Sequence, residues 1–289
     1  VVPDAGDVGR YASLAVDGTG NVHIGYYGLD NGDLKYATNA SGAWVATVVD
    51  GGGNVGSYSS LALDGTGRIH ISYYDATSGA LKYATKAAGG AVWSIVTVPD
   101  PGVNVGWYGS LAVDGTGTVH ISYYDVTNGH LKCASGGIGG WSIVTVDSDA
   151  NVGKYSSLKV DASGHVHISY YDETNGKLKY ATNATGAWIK SIADGDGIVG
   201  SYSALGLDGS GRVHISYYDA TPTSLNLKYA TNASGAWAVR VVDATGDVGT
   251  DSSLAVDGSG FVHISYYDAT NGDLKYAETF LPPPGGGGG

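Results

Sequence analysis

The chain has 289 residues and a formal charge of −12, from 15 basic and 27 acidic side chains, with 48 Gly, 22 Tyr, 2 Phe and no Met. That charge excludes a nucleic-acid backbone or an anionic membrane as the main partner, and no run of 18 apolar residues could span a bilayer as a helix. The composition favours strands and turns, and no stretch carries the 3.6-residue periodicity of an amphipathic helix.

In chain order, the first segment is "VVPDAGDVG" (Val1–Gly9), which matches "VVDATGDVG" (Val241–Gly249) near the other end. The next signal, "VHIGYYG" at Val22–Gly28, is a degraded copy of a heptad that returns as "IHISYYD" at Ile69–Asp75. It then appears as "VHISYYD" from Val119, Val166, Val213 and Val262. Its histidines, His23, His70, His120, His167, His214 and His263, are spaced 47, 50, 47, 47 and 49 residues apart. A period in this range denotes an array of supersecondary units.

The second unit shows the whole pattern. "YSSLALD" (Tyr58–Asp64) reads as a first strand, "GTG" as a turn and "RIHISYYD" as a second strand. "LKYAT" is a third strand and "WSIVTV" (Trp93–Val98) a fourth. If Leu63 pairs with Ile69, then Leu61, Leu63, Ile69, Ile71 and Tyr73 share a bulky face, while Ser60, Ala62, His70, Ser72 and Tyr74 share a smaller one. A two-residue loop would shift the register by one and mix the faces. Sheets of this kind stack bulky face into small face around an axis. The expected fold is therefore all-β: a six-bladed β-propeller with four antiparallel strands per blade. The sixth unit lacks its "GAWxxxxVVD" strand, and the ring is expected to close by Val1 and Val2 pairing with the last blade. Residues 1–280 form the propeller in this reading. The following "LPPPGGGGG" (281–289) is a stiff-then-flexible linker or tail, and the absence of an initial Met implies an upstream start.

"AVDGTGTVHISYYD" (Ala112–Asp125) carries an Asp–x–x–Gly hairpin. On these residues the units resemble the sialidase-like, Asp-box repeats of bacterial secreted six-bladed β-propellers, along nearly the whole chain. The resemblance implies the fold, and with it an extracellular, cell-surface or periplasmic location.

Blade geometry sorts the motifs. The fourth-to-first and second-to-third connections share one face of a propeller. Tyr11, Tyr58, Tyr108, Tyr155 and Tyr202 are expected near that mouth, together with Asp75, Asp125, Asp172, Asp219 and Asp268. Phenol rings offer flat apolar area with a hydroxyl, and carboxylates accept several hydrogen bonds, a mixture suited to sugars. The structural alternative is that most tyrosines fill space between blades and that each Asp bonds its own turn. The histidines sit on second strands, at least one strand spacing of about 4.8 Å from the innermost, so they cannot converge on a metal. They are expected to be hydrogen-bonded core imidazoles, and His130 and His165 to be solvated turn residues. Cys133 replaces the Tyr of "LKYA" and is expected to be buried. No cofactor or metal is expected; calcium is signalled only weakly, by "DGDG" at Asp194–Gly197, which matches no calcium-loop spacing. Asn39, Asn183 and Asn232 lie in N-glycosylation sequons.

A catalytic centre requires a blade unlike the others. Trp107, Glu173, Pro222 and Asp251 depart from the repeat, but they form no acid–base pair, and the four arginines are scattered. The expected function is a non-catalytic, multivalent, lectin-like binding module, in which near-equal sites multiply affinity by roughly 10²–10⁴ on a repetitive target. The alternative is a structural or protein-interaction module of the cell surface, binding a surface protein or itself. A glycosidase or polysaccharide lyase ranks third.

Overall fold

A computed structural model describes residues 2–279. The chain is an all-β, six-bladed β-propeller, with 23 strands in six sheets among the described residues. Blade one holds β1 (Val8–Val16), β2 (Val22–Gly28), β3 (Asp33–Thr38) and β4 (Val45–Asp50), and blade two holds β5 (Val55–Leu63), β6 (Ile69–Asp75), β7 (Ala80–Lys86) and β8 (Ser94–Thr97). Blade three is β9 (Val105–Val113), β10 (Val119–Asp125), β11 (His130–Gly137) and β12 (Gly140–Asp147), and blade four is β13 (Val152–Val160), β14 (Val166–Asp172), β15 (Lys177–Thr182) and β16 (Ile189–Asp194). Blade five is β17 (Val199–Leu207), β18 (Val213–Asp219), β19 (Asn226–Thr231) and β20 (Ala238–Asp243), and blade six is β21 (Val248–Val256), β22 (Val262–Asp268) and β23 (Asp273–Thr279). Blades one to three belong to one compact unit and blades four to six to another.

The expected hairpin register is observed, with Leu63 opposite Ile69 and Leu61 opposite Ile71. The loop is held by its Asp: the Asp64 carboxylate accepts from the Thr66 amide (2.8 Å), the Thr66 hydroxyl (2.7 Å) and the Arg68 amide (3.0 Å). Its other oxygen lies 3.3 Å from His70 Nε2, and His70 Nδ1 lies 2.7 Å from the Tyr83 hydroxyl. The repeated histidine thus ties the first hairpin to the third strand of its own blade. In blade three Cys133 stands in place of that Tyr, and Ser135 takes over, 2.9 Å from His120 Nδ1. Burial pushes the Cys133 thiol up to about 12, consistent with a space-filling role.

Blades stack as the alternation requires. Leu61, Ile69, Ile71 and Tyr73 of blade two pack on Leu34, Tyr36 and Val49 of blade one, and the same contact recurs between blades two and three, four and five, and five and six. A charged clamp accompanies each. The last residue of a fourth strand, Asp50, accepts from the Tyr73 hydroxyl (2.7 Å) and from Lys82 Nζ (2.5 Å) of the next blade. Asp100 holds Tyr123 and Lys132, Asp194 holds Tyr217 and Lys228, and Asp243 holds Tyr266 and Lys275 in the same way. Asp194, at the head of the weak calcium signal, therefore already holds an ammonium group.

Among the described residues blade six has three strands, β21-β22-β23. Val2 precedes the first strand, and Val1 lies outside the described residues, as does the 281–289 segment. Asp4 makes on blade one the clamp that Asp50 makes on blade two, accepting from the Tyr26 hydroxyl (2.6 Å) and Lys35 Nζ (2.7 Å).

The buried polar layer predicts a two-step acid profile. Burial holds His70, His167 and His214 below their ordinary value of 6.5, against the opposing pull of their Asp partners. Native imidazoles are therefore neutral, and their contribution is present above pH 6.5 and lost as pH falls through the depressed values. At Asp64 and Asp114 burial opposes the charge, but hydrogen bonds from Thr66, Arg68 and His70, and from Thr116, His120 and Thr118, outweigh it and bring both carboxyls down to about 2. Their contribution is complete above 3.8 and lost between 3.8 and about 2. Urea midpoints measured against pH should fall in these two windows; a maximum at the isoelectric point, about 4.8, would contradict the assignment.

Candidate functional site

Each innermost strand carries a bulge. On β5, Ser57 faces Tyr74 and Ser60 faces Ser72, so Tyr58 and Ser59 together oppose Tyr73 alone. The bulge puts Tyr58 in the left-handed region at φ 53°, and Tyr11, Tyr108, Tyr155, Tyr202 and Asp251 share it at 52°, 54°, 53°, 53° and 51°. That region normally belongs to Gly or Asn; a bulky residue there costs about 1–2 kcal/mol. Two residues earlier the backbone demands glycine: Gly56 has φ +112°, and a Cβ there would stand 2.8 Å from the Cα of Leu34 in the preceding blade. The strain is held by the next blade. Ser59 Oγ donates to the Tyr11 carbonyl (2.6 Å), Ser203 Oγ to that of Tyr155 (2.8 Å) and Ser252 Oγ to that of Tyr202 (2.9 Å).

The five expected tyrosines therefore occupy one repeated, strained position. In the first unit Tyr11, Tyr58 and Tyr108 form an arc, with ring centroids 4.9 Å apart at both steps. In the second, Tyr155 and Tyr202 are 4.6 Å apart, and Asp251 takes the third place. Tyr58, Tyr108, Tyr155 and Tyr202 are half-buried, and Tyr11 is exposed. Burial, with Tyr155 and Asp251 alongside, pushes the Tyr202 phenol up to about 12, and desolvation raises the Asp251 carboxyl. The phenol of Tyr202 is thus a neutral hydrogen-bonding group across the physiological range.

A second aromatic layer backs each arc. Tyr27, Tyr74, Tyr124, Tyr171 and Tyr218 stand 6.2–6.5 Å from the strained tyrosine of their own blades. The sequence reading expects most of these rings to fill space between blades. They also anchor the mouth loops: Tyr27 donates to Asn54 (2.8 Å), Tyr74 to Asn104 (2.9 Å), Tyr218 to Asp247 (2.8 Å) and Tyr124 to Asn151. Trp107 adds one more ring, stacked on Tyr58 at 5.6 Å and 29°. Its departure from the repeat was the available signal.

The five expected aspartates separate from the tyrosines. All are buried. Asp75 accepts from the Thr77 and Ser78 amides and the Ser78 hydroxyl, Asp125 and Asp172 from Asn128 and Asn175, Asp219 from Thr221, and Asp268 from Asn271. Lys132 Nζ also lies 2.9 Å from Asp125. These carboxylates build the second-to-third turns, and the turns in turn hold the inter-blade loops, as where Asn54 N donates to Thr77 Oγ1 (2.8 Å). The candidate surface is thereby narrowed to the tyrosines. Arginines do not gather there: Arg212 Nε bonds Asp208 at 2.6 Å, and Arg240 lies 4.7 Å from the centre of the Tyr229 ring. Among the described residues no cluster of three His, Cys, Asp or Glu could hold a metal ion.

No protein-family profile and no curated protein matches the sequence. Solved structures do match. AofleA from Arthrobotrys oligospora is similar at a TM-score of 0.64 and 17% identity, over 95% of this chain and 83% of that chain. The Hadza microbial sialidase Hz136 is similar at 0.64 and 16%, over 94% of this chain and 65% of that one. The Aleuria aurantia lectin AAL, in complex with Fucα1-6GlcNAc, is similar at 0.60 and 12%, over 97% and 95% of the two chains. At these identities the likeness is one of fold, and lectin and sialidase propellers both share it.

Proposed function

We propose that the chain is a non-catalytic carbohydrate-binding module, exported to the cell surface or beyond, whose strained tyrosines stack against sugar rings. The observation that carries this reading is the recurrence of an αL tyrosine in five of the six blades. Backbone strain kept at equivalent places is a mark of function, and here the cheaper residues, Gly, Asn or Asp, are passed over five times for Tyr. A Tyr face with a neutral hydroxyl suits the C–H face and hydroxyls of a neutral sugar. The lectin among the fold neighbours supports the same class.

A glycosidase needs two carboxyl groups flanking the scissile bond. At the mouth the five turn aspartates are buried in their own loops, Glu173 is paired with Lys154 at 2.6 Å, and Asp251 holds the strained place in blade six. The test is a glycan array followed by calorimetry and a hydrolysis assay on each bound glycan. Retention of neutral oligosaccharides at more than one equivalent per chain, without cleavage, is expected. No retention at millimolar glycan, or release of product, would overturn the reading.

A further inference from the structure

A serine of the innermost strands gives way to glycine in blade three. On blades two, five and six, Ser59, Ser203 and Ser252 donate to the carbonyl of the strained tyrosine in the preceding blade. The hydroxyls of Ser203 and Ser252 also pair with a second-strand serine of that preceding blade, Ser169 and Ser216, at 2.9 Å each. Blade three has Gly109 at this place. The second-strand serine on the facing blade, Ser72, is completely buried, and its Oγ has no hydrogen-bonding partner. A buried polar atom in that state calls for an explanation.

The place of the missing side chain has room for one. Gly109 lies outside the left-handed region. A Cβ there would stand 3.5 Å from the Tyr58 carbonyl oxygen and 3.8 Å from Ser72 Oγ, both ordinary contact distances. Gly109 is half-buried, whereas Ser59 and Ser203 are buried at the same place in their own blades. Aromatic surface adjoins it. Tyr108 precedes Gly109 in the chain, with its ring centroid 4.9 Å from that of Tyr58. Trp107 stacks on Tyr58 at 5.6 Å and stands 5.9 Å from Tyr74, and its Nε1 is also buried without a partner. The junction of blades two and three thus sets unmatched hydrogen-bonding atoms beside the broadest aromatic surface of its arc.

We infer, resting on the carbohydrate reading above, that the place beside Gly109 is a hydroxyl subsite, where a ligand hydroxyl stands as the serine hydroxyl stands in other blades. A sugar hydroxyl both donates and accepts, as Ser203 Oγ does between the Tyr155 carbonyl and Ser169. Held there, it gives Ser72 its partner while the C–H face of the same ring lies along Tyr58, Tyr108 or Trp107. A sugar without that hydroxyl leaves Ser72 unpaired, and a site built for a hydroxyl rejects the analogue lacking it. Gly109 is therefore a specificity-determining position. Ser203 and Ser252 fill the same place with their own side chains, so the Tyr155 and Tyr202 positions receive sugars on the ring face alone.

The test is Gly109→Ser, which gives blade three the residue of blades two, five and six. It should raise the melting temperature by a few degrees, since the new hydroxyl partners Ser72 and the unfolded chain loses freedom. The probe is the neutral oligosaccharide best retained on the array, with its monodeoxy analogues, titrated by calorimetry into both proteins. Toward the wild type, one analogue should bind about 10-fold or more weakly than the parent. Toward Gly109→Ser, the parent should weaken by a similar factor, and that analogue should bind as the parent does. Undiminished binding of the parent to Gly109→Ser would overturn the inference and leave the place to solvent. Equal wild-type affinity for every monodeoxy analogue would overturn it too, as would a lowered melting temperature, which would mean that no side chain fits. A wild type that retains no oligosaccharide is a separate result: it removes the carbohydrate reading itself, and this subsite with it.

Discussion

Asp194→Ala is expected to destabilise the chain by about 3–5 kcal/mol, the range for breaking a buried ion pair from one side. The carboxylate accepts from Tyr217 at 2.7 Å and Lys228 at 2.6 Å, and Tyr217 is completely buried. Removing it takes the acceptor from the buried Tyr217 phenol and leaves Lys228 with the more distant Asp219 carboxylate, 3.7 Å away. Two controls separate this from loss of bulk. Asp194→Asn keeps the shape and an acceptor for Tyr217 but removes the charge, so it should fall between wild type and Ala. In Asp194→Ala/Lys228→Met, the second change removes the ammonium charge and should recover part of the loss. Denaturant midpoints decide the matter; a cost under about 1 kcal/mol, the level of a surface pair, would show that the clamp is not structural.

Replacing Tyr58 and Tyr155 by Gly should separate stability from binding. The left-handed backbone suits Gly, so each change relieves about 1–2 kcal/mol of strain, which offsets much of the packing lost with a half-buried ring. Thermal stability should therefore stay within a few degrees of wild type. Glycan affinity should fall by about 30-fold or more for each site engaged, since truncation of a central aromatic costs about 2 kcal/mol or more. A Tyr58→Phe control keeps the ring and should lose less. If both Gly variants bind glycans as the wild type does, the strained rings serve the fold alone.

Much of the fold is legible in the repeat. The choice between a narrow and a wide hairpin follows from Leu63 and Ile69, because a shift of one residue would turn every side chain over. The histidines are legible as core groups because their strand lies away from the axis, though their partners are not: Asp64 and Tyr83 are 6 and 13 residues distant from His70. The inter-blade clamp is hidden by greater separation, 23 residues from Asp50 to Tyr73 and 32 to Lys82. The bulge is hidden for another reason. Its usual sign is a glycine at the left-handed position, and here that position holds Tyr. The mouth aspartates are ambiguous in sequence, because a carboxylate that builds a turn reads the same there as one that faces a ligand.

The proposal that left-handed tyrosines are the sugar platform is tested most directly by a crystal structure of the chain soaked with an oligosaccharide it retains. The account predicts sugar rings lying on Tyr58, Tyr108, Tyr155 or Tyr202, with the backing tyrosines and mouth loops unmoved. Sugar bound instead against the Asp64-type hairpins or the Trp-bearing fourth strands, with the tyrosine arcs bare, would contradict it.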